Sequence, residues 1–169
     1  MFAKAKLIDF TGSVAGFDAH ERFNERIVAM LRDGHSEKTV VVIDRGHHMP
    51  SAQAHVITDH INASGDNPLT GPNNECGERF PVVNSIYVHT FNDEVLDKLP
   101  RGVAVGIKHG ATASDSEMEE LRKLGCDFCC HNIVPTMIVA AHAGWKVVGI
   151  ALPAGAKLDE NVVKRLTGK

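Results

Sequence analysis

No run of apolar residues in this sequence is long enough to cross a bilayer, so no membrane-spanning helix is expected. Positive charge is not in excess either: 18 Lys and Arg stand against 21 Asp and Glu, giving a net charge of −3 and a pI near 6.3. That removes the electrostatic case for nucleic acid or an anionic membrane as a partner. The opening segment MFAKAKLIDFTG lacks an apolar core followed by a small-residue cleavage site, so no secretory signal is read there. Cysteines are few, and three of the four crowd between Cys126 and Cys130, which is not the spacing of a secreted disulfide framework. A cytoplasmic protein is the expectation. What is present is chain enough for one domain, 1–169, whose core needs no staples. Ten His are scattered along it and are adjacent only at His47-His48.

Short apolar runs alternate with amphipathic stretches. Lys6–Phe10 reads as a strand closed by Thr11-Gly12-Ser13, and Phe17-Asp18 opens a helix to about Arg32. On that helix Phe23, Ile27, Met30 and Leu31 share one stripe, and Asp33-Gly34 stops it. Thr39–Ile43 is β-branched throughout, the mark of a central strand covered on both faces. A loop at Asp44–Pro50 and a strand at Ala54–Ile61 follow. Beyond Pro81 come an apolar piece at Ile86–Val88, a small helix at Asp93–Leu99 ended by Pro100, and a strand at Val103–Ile107. Ser114 and Glu117 form a capping box for a helix to Leu124, with Gly125 placed to end it. Phe128–Cys130 reads as a strand, Thr136–His142 as an apolar helix behind Pro135, Lys146–Leu152 as a buried strand and Asp159–Leu166 as a terminal helix. This alternation predicts a mostly parallel sheet with helices on both faces. Ligands of such sheets bind beyond the carboxyl ends of the strands, here Thr11–Phe17, Asp44–Met49, Lys108–Ala113, His131-Asn132 and Pro153–Gly155.

The stretch Asp59–Pro81, DHINASGDNPLTGPNNECGERFP, is rich in Gly, Asn and Pro and poor in aliphatic residues, and it separates two buried runs. Its composition alone fits a surface loop equally well. It closely resembles the DHIN…NPL.GPN…G.RFP segment of the trimeric purine nucleoside phosphorylases and methylthioadenosine phosphorylases. A second match is Leu121–Leu152, where LRKLGCDF and VPTMIVAAHAGWKVVGIAL are similar to that family's L.KLGAD…STVPE.IVARH.GL.V.G.SL. The resemblance implies a shortened nucleoside-phosphorylase fold, a three-layer α/β/α sandwich, assembled as a homotrimer.

Several positions depart from the family. The glycine-rich phosphate loop has no counterpart in this sequence. The family's GRFHMY, with a phosphate-binding Arg and His and a ribose-contacting Tyr, falls on Gly12–Phe17, where Ser13, Ala15 and Phe17 stand. Its NAAGG falls on Asp44-Arg45-Gly46-His47-His48, and its purine-holding Glu falls on Ala113. GMSTVPE becomes Cys130–Thr136, and the TN whose Asn assists purine departure falls on Ala154-Gly155. Phosphorolysis needs an anion cradle and a donor for charge building on the leaving base. Replacing such partners removes orders of magnitude of rate.

Under this alignment a pocket would gather Asp44, Arg45, His47, His48, Lys108, His109, His131 and Asn132, with Phe80 matching the family residue that covers a neighbouring subunit's sugar. The His set suits acid–base or metal chemistry, and it equally suits a solvated loop pair at His47-His48 and a core or contact role for His131. Phe80 is either a pocket cover or an interface anchor. Cys126, Cys129, Cys130 and His131 hold one Cys-x-x-Cys half-site with no second pair, and adjacent strand residues point to opposite faces. No metal and no cofactor are expected, phosphate being a co-substrate only if activity persists. Three functional readings stand: a phosphorylase-like protein that binds a nucleoside-like small molecule or acts as an interaction subunit, an active purine nucleoside phosphorylase, and a hydrolase using the His-rich pocket.

Overall fold

The structure is a computed structural model and describes residues 5–11, 38–71 and 77–168. The predicted helix from Phe17 to Arg32, the Gly12–Phe17 segment and Cys76 lie outside the described residues. The described strands are β1 (Lys6–Asp9), β2 (Thr39–Arg45), β3 (His55–Asn62), β4 (Arg101–Gly106), β5 (Phe128–Cys130) and β6 (Lys146–Leu152). The helices are α1 (Asp115–Lys123), α2 (Ile133–His142) and α3 (Glu160–Thr167).

The six strands form one sheet in the order β1-β2-β6-β3-β4-β5. Four neighbouring pairs are parallel and one, β3 with β6, is antiparallel. The predicted mostly parallel sheet is therefore two parallel halves joined back to front. Two features bend it. The β3–β4 register skips a residue between Ile57 and Asp59, a bulge of the kind that sharpens local twist. Past its last residue, β2 runs on to meet the far edge: the His47 amide donates to the Cys129 carbonyl at 2.9 Å and the Cys129 amide to the His47 carbonyl at 3.0 Å. The sheet thus curls until the continuation of β2 meets β5, and edge strand β5 gains a partner on its open side.

The layers follow from the two-residue period of β2. Val40 and Val42 face one cluster with Met137 and Ile138 of α2, while Val41 and Ile43 face another with Val162 and Leu166 of α3. The unbroken apolar run Val40–Ile43 within β2 is what a sheet covered on both sides requires. α2 lies unusually close to the sheet. A Cβ on Gly106 would fall 2.7 Å from Val134 Cβ, and one on Gly149 would fall 2.2 Å from Met137 Cε. A third cluster, Val105, Met118, Cys126 and Cys129, packs α1 beside β4 and β5.

Most predicted elements form within a residue or two of their expected ends, and three differ. Asp44 and Arg45 belong to β2 and not to the loop after it. Asp93–Leu99 makes turns in place of a helix. There the Asp97 carboxylate accepts from the amides of Phe91 and Asp93 at 2.9 Å, and Asp93 accepts from Val95 and Leu96 at 3.0 Å. Side chains that bond their own backbone in this way offer it an alternative to the helical ladder. α2 starts at Ile133, before Pro135, because a proline in the first turn gives up an amide the helix does not use. The capping box forms as predicted: Glu117 N donates to Ser114 Oγ at 3.2 Å and Ser114 N to Glu117 Oε2 at 2.7 Å. No described helix is long and apolar enough to cross a membrane.

Candidate functional site

The curl brings together the ends of β2, β4 and β5. At its centre Asp44, only 2 % exposed, lies under the start of α2. Its carboxylate accepts from the amides of Asn132 at 2.8 Å and Ile133 at 3.0 Å, from Asn132 Nδ2 at 3.1 Å, and from the Arg45 amide at 2.9 Å. Asn132 occupies the N-cap position without capping through its own side chain, so an acceptor from another strand does that work. Burial outweighs these donors and holds the Asp44 carboxyl above the usual carboxylate range. The Arg45 guanidinium turns to the carbonyls of Pro153 and Ala156, so it clamps the loop after β6.

Three imidazoles then stand in a row. His47 and His131 meet edge to face with ring centres 4.9 Å apart, and the ring centre of His109 lies 5.7 Å from that of His131. His131 Nδ1 is buried without a hydrogen-bond partner among the described residues. Partial burial lowers the His47 pKa from its ordinary value; His131 and His48 add to this and Asp44 opposes it, so His47 is neutral at neutral pH. His48 is directed away from the row. Its backbone takes a φ of 55°, its Nε2–H donates to the Ala113 carbonyl at 2.8 Å, and Nδ1 lies 3.6 Å from Asp115. Among the described residues no group of three or more His, Cys, Asp or Glu is arranged to hold a metal ion. The thiols fit that finding. Cys129 faces the α1 cluster, its Sγ donating to Met118 Sδ at 3.4 Å, while Cys130 faces the α2 cluster, and burial raises the pKa of both.

Beside the imidazoles opens a cleft of about 430 Å³ between α1 and the ends of β3 and β4. Ala63, Ile107, Ala111, Ala113 and Leu121 give it an apolar floor, and Lys108, Glu117 and Glu120 its charged rim. That volume lies within the usual range for small-molecule sites. The structure thus joins Asp44, Arg45, Asn132, His47, His131 and His109 in one region and sets Lys108 on the neighbouring cleft. Phe80 stands apart on the connection after β3, 85 % exposed. The sequence reading did not place Ala63, Ile107, Glu117, Glu120 and Leu121 at the site. Ala63 directly follows β3, so the rule that ligands sit beyond strand ends would have found it had β3 been included.

An α/β protein with a curled mixed sheet and a cleft at its strand ends is the class that fold and site define. No family model matches the chain. Purine nucleoside phosphorylase 1 of Bacillus subtilis is 36% identical over 110 residues, covering 60% of this chain and 40% of its own length. The purine nucleoside phosphorylase of Saccharomyces cerevisiae is 31% identical over 135 residues, covering 67% of this chain and 43% of its own. Among solved structures, isoform 2 of the Schistosoma mansoni purine nucleoside phosphorylase, in complex with cytosine and ribose-1-phosphate, superposes with a TM-score of 0.62 at 25% identity, over 78% of this chain and 55% of that one. The chain is a divergent relative of the purine nucleoside phosphorylases with a shortened version of their fold, and it spans about two fifths of the length of the curated relatives it matches.

Proposed function

We propose that this chain is a single-domain, phosphorylase-like protein that binds a nucleoside-like small molecule and has given up the phosphorolysis its relatives are named for. It works as a cytoplasmic homotrimer in which Phe80 anchors the contact between subunits. The observation that carries this reading is the commitment of Asp44 and Arg45, which stand where the family has NAAGG, to the fold itself. Asp44 holds the first turn of α2 and Arg45 holds the loop after β6. Ala113 stands where the resemblance places the purine-holding carboxylate, and the nearby Glu117 is bonded to the Ser114 amide. Neither arrangement leaves a preorganised donor for charge on a leaving purine.

The test is release of free base from inosine and guanosine in phosphate buffer, run beside a purine nucleoside phosphorylase. Turnover is expected to be lower by about 10³-fold or more, with either nucleoside raising the melting temperature. Release of base at the reference enzyme's rate would restore the active-phosphorylase reading. The row of imidazoles supports a hydrolase as the second reading, and release of base without phosphate would favour it.

A further inference from the structure

The cleft beside α1 has an electrostatic signature that the proposed function does not use. Of its three charged side chains, two are engaged: Glu117 accepts from the Ser114 amide at 2.7 Å, and Glu120 pairs with Lys123 at 2.6 Å. Lys108 makes no hydrogen bond or ion pair through its side chain among the described residues, and it stands at the mouth of an apolar floor. We infer that this cleft takes a small organic monocarboxylate, its apolar body on Ala63, Ile107, Ala111, Ala113 and Leu121 and its carboxylate on the Lys108 ammonium.

A single negative charge is favoured over a phosphate dianion for a physical reason. One uncommitted ammonium neutralises one charge, and the carboxylates of Glu117 and Glu120 on the same rim repel a second. An uncharged apolar ligand would bury the floor and leave the cation without a partner. The inference deepens the reading of the chain as a ligand-binding protein and depends on it, but it places the anion on Lys108 and not on the imidazoles.

The experiment titrates the full chain with hexanoate, 1-hexanol and inorganic phosphate by calorimetry. Hexanoate is expected to bind about 10-fold more tightly than 1-hexanol, the scale of one charge-assisted hydrogen bond, and phosphate is expected not to displace it. Lys108→Gln should bring hexanoate to the affinity of 1-hexanol and leave 1-hexanol unchanged; Lys108 is exposed, so the variant folds. Ala111→Trp, which fills the floor, should abolish both. Equal affinity for acid and alcohol, hexanoate binding untouched by Lys108→Gln, or competition by phosphate would each overturn the inference. Stabilisation by nucleosides without hexanoate binding would remove this inference alone, whereas hexanoate binding with fast phosphorolysis would remove the proposed function alone.

Discussion

The His60 imidazole is hydrogen-bonded through Nδ1 to the Tyr87 hydroxyl, and the two rings lie 5.8 Å apart within the fold. Burial pulls the His60 pKa below its ordinary value, with Asp59 opposing, and the same burial raises the Tyr87 phenol. His60 is therefore neutral, and its Nδ1 accepts a hydrogen bond from the Tyr87 hydroxyl. Because its folded pKa is lowered, the folded chain binds fewer protons than the unfolded one once pH drops below about 6.5. This contribution to stability is complete above that pH and is lost progressively as acid carries the solution toward the folded pKa. Asp44, whose pKa is raised, has the opposite sign, its contribution being greatest in acid and lost as pH rises through its folded value. Tyr87→Phe leaves Asp44 alone and removes the donor that favours neutral His60. It is expected to cost about 1–2 kcal/mol at pH 7 and to give a shallower decline between pH 7 and pH 5 than the parent, measured by urea unfolding at both. Parallel declines would show that the hydroxyl adds nothing to the lowering of the His60 pKa by burial. This pair was not legible in the sequence: the partners are 27 positions apart, and nothing in the Asp59–Pro81 motif indicates where His60 points.

At the scale of elements, what could be read was what is local. The alternating faces of β2, the Ser114–Glu117 box and the glycine that ends α1 each depend on residues within a few positions of one another, and each formed. The small helix expected at Asp93–Leu99 before Pro100 failed because two aspartates took the amides it needed. Asp44 shows the larger limit. A carboxylate after a buried strand reads as a pocket residue, and only the fold shows that Asn132 and Ile133, 88 and 89 positions later, arrive on top of it. That link makes β2 and α2 one unit, since the helix lacks a cap of its own. Asp44→Ala is expected to cost about 3 kcal/mol, lowering the melting temperature by about 6–12 °C. Faster hydrogen exchange at Asn132 and Ile133 should accompany the loss. A melting temperature within about 2 °C of the parent would mean that the helix start finds another acceptor.

For the molecule as a whole, the same separation between local and distant information applies to assembly. The parallel halves were legible in the alternation of strand and helix, but the back-to-front joint of β3 on β6 and the closure of His47 on Cys129 join residues far apart in sequence. Those contacts decide which strand ends meet and so where a ligand fits. Phe80 is left with most of its ring in solvent, 85 % exposed, on a connection whose Arg79 is tied back to the Gly71 carbonyl. A large aromatic side chain held outward on an anchored segment contributes little to its own subunit and suits a contact with another. Phe80→Ser should therefore leave the fold of a single chain unchanged to within about 0.5 kcal/mol. It should still shift the protein toward monomer in light scattering coupled to size-exclusion chromatography, with the parent eluting as an oligomer. Circular dichroism of both at the lowest concentration separates lost assembly from lost folding. A parent that is monomeric throughout, or a variant that assembles as the parent does, would return Phe80 to an ordinary exposed side chain.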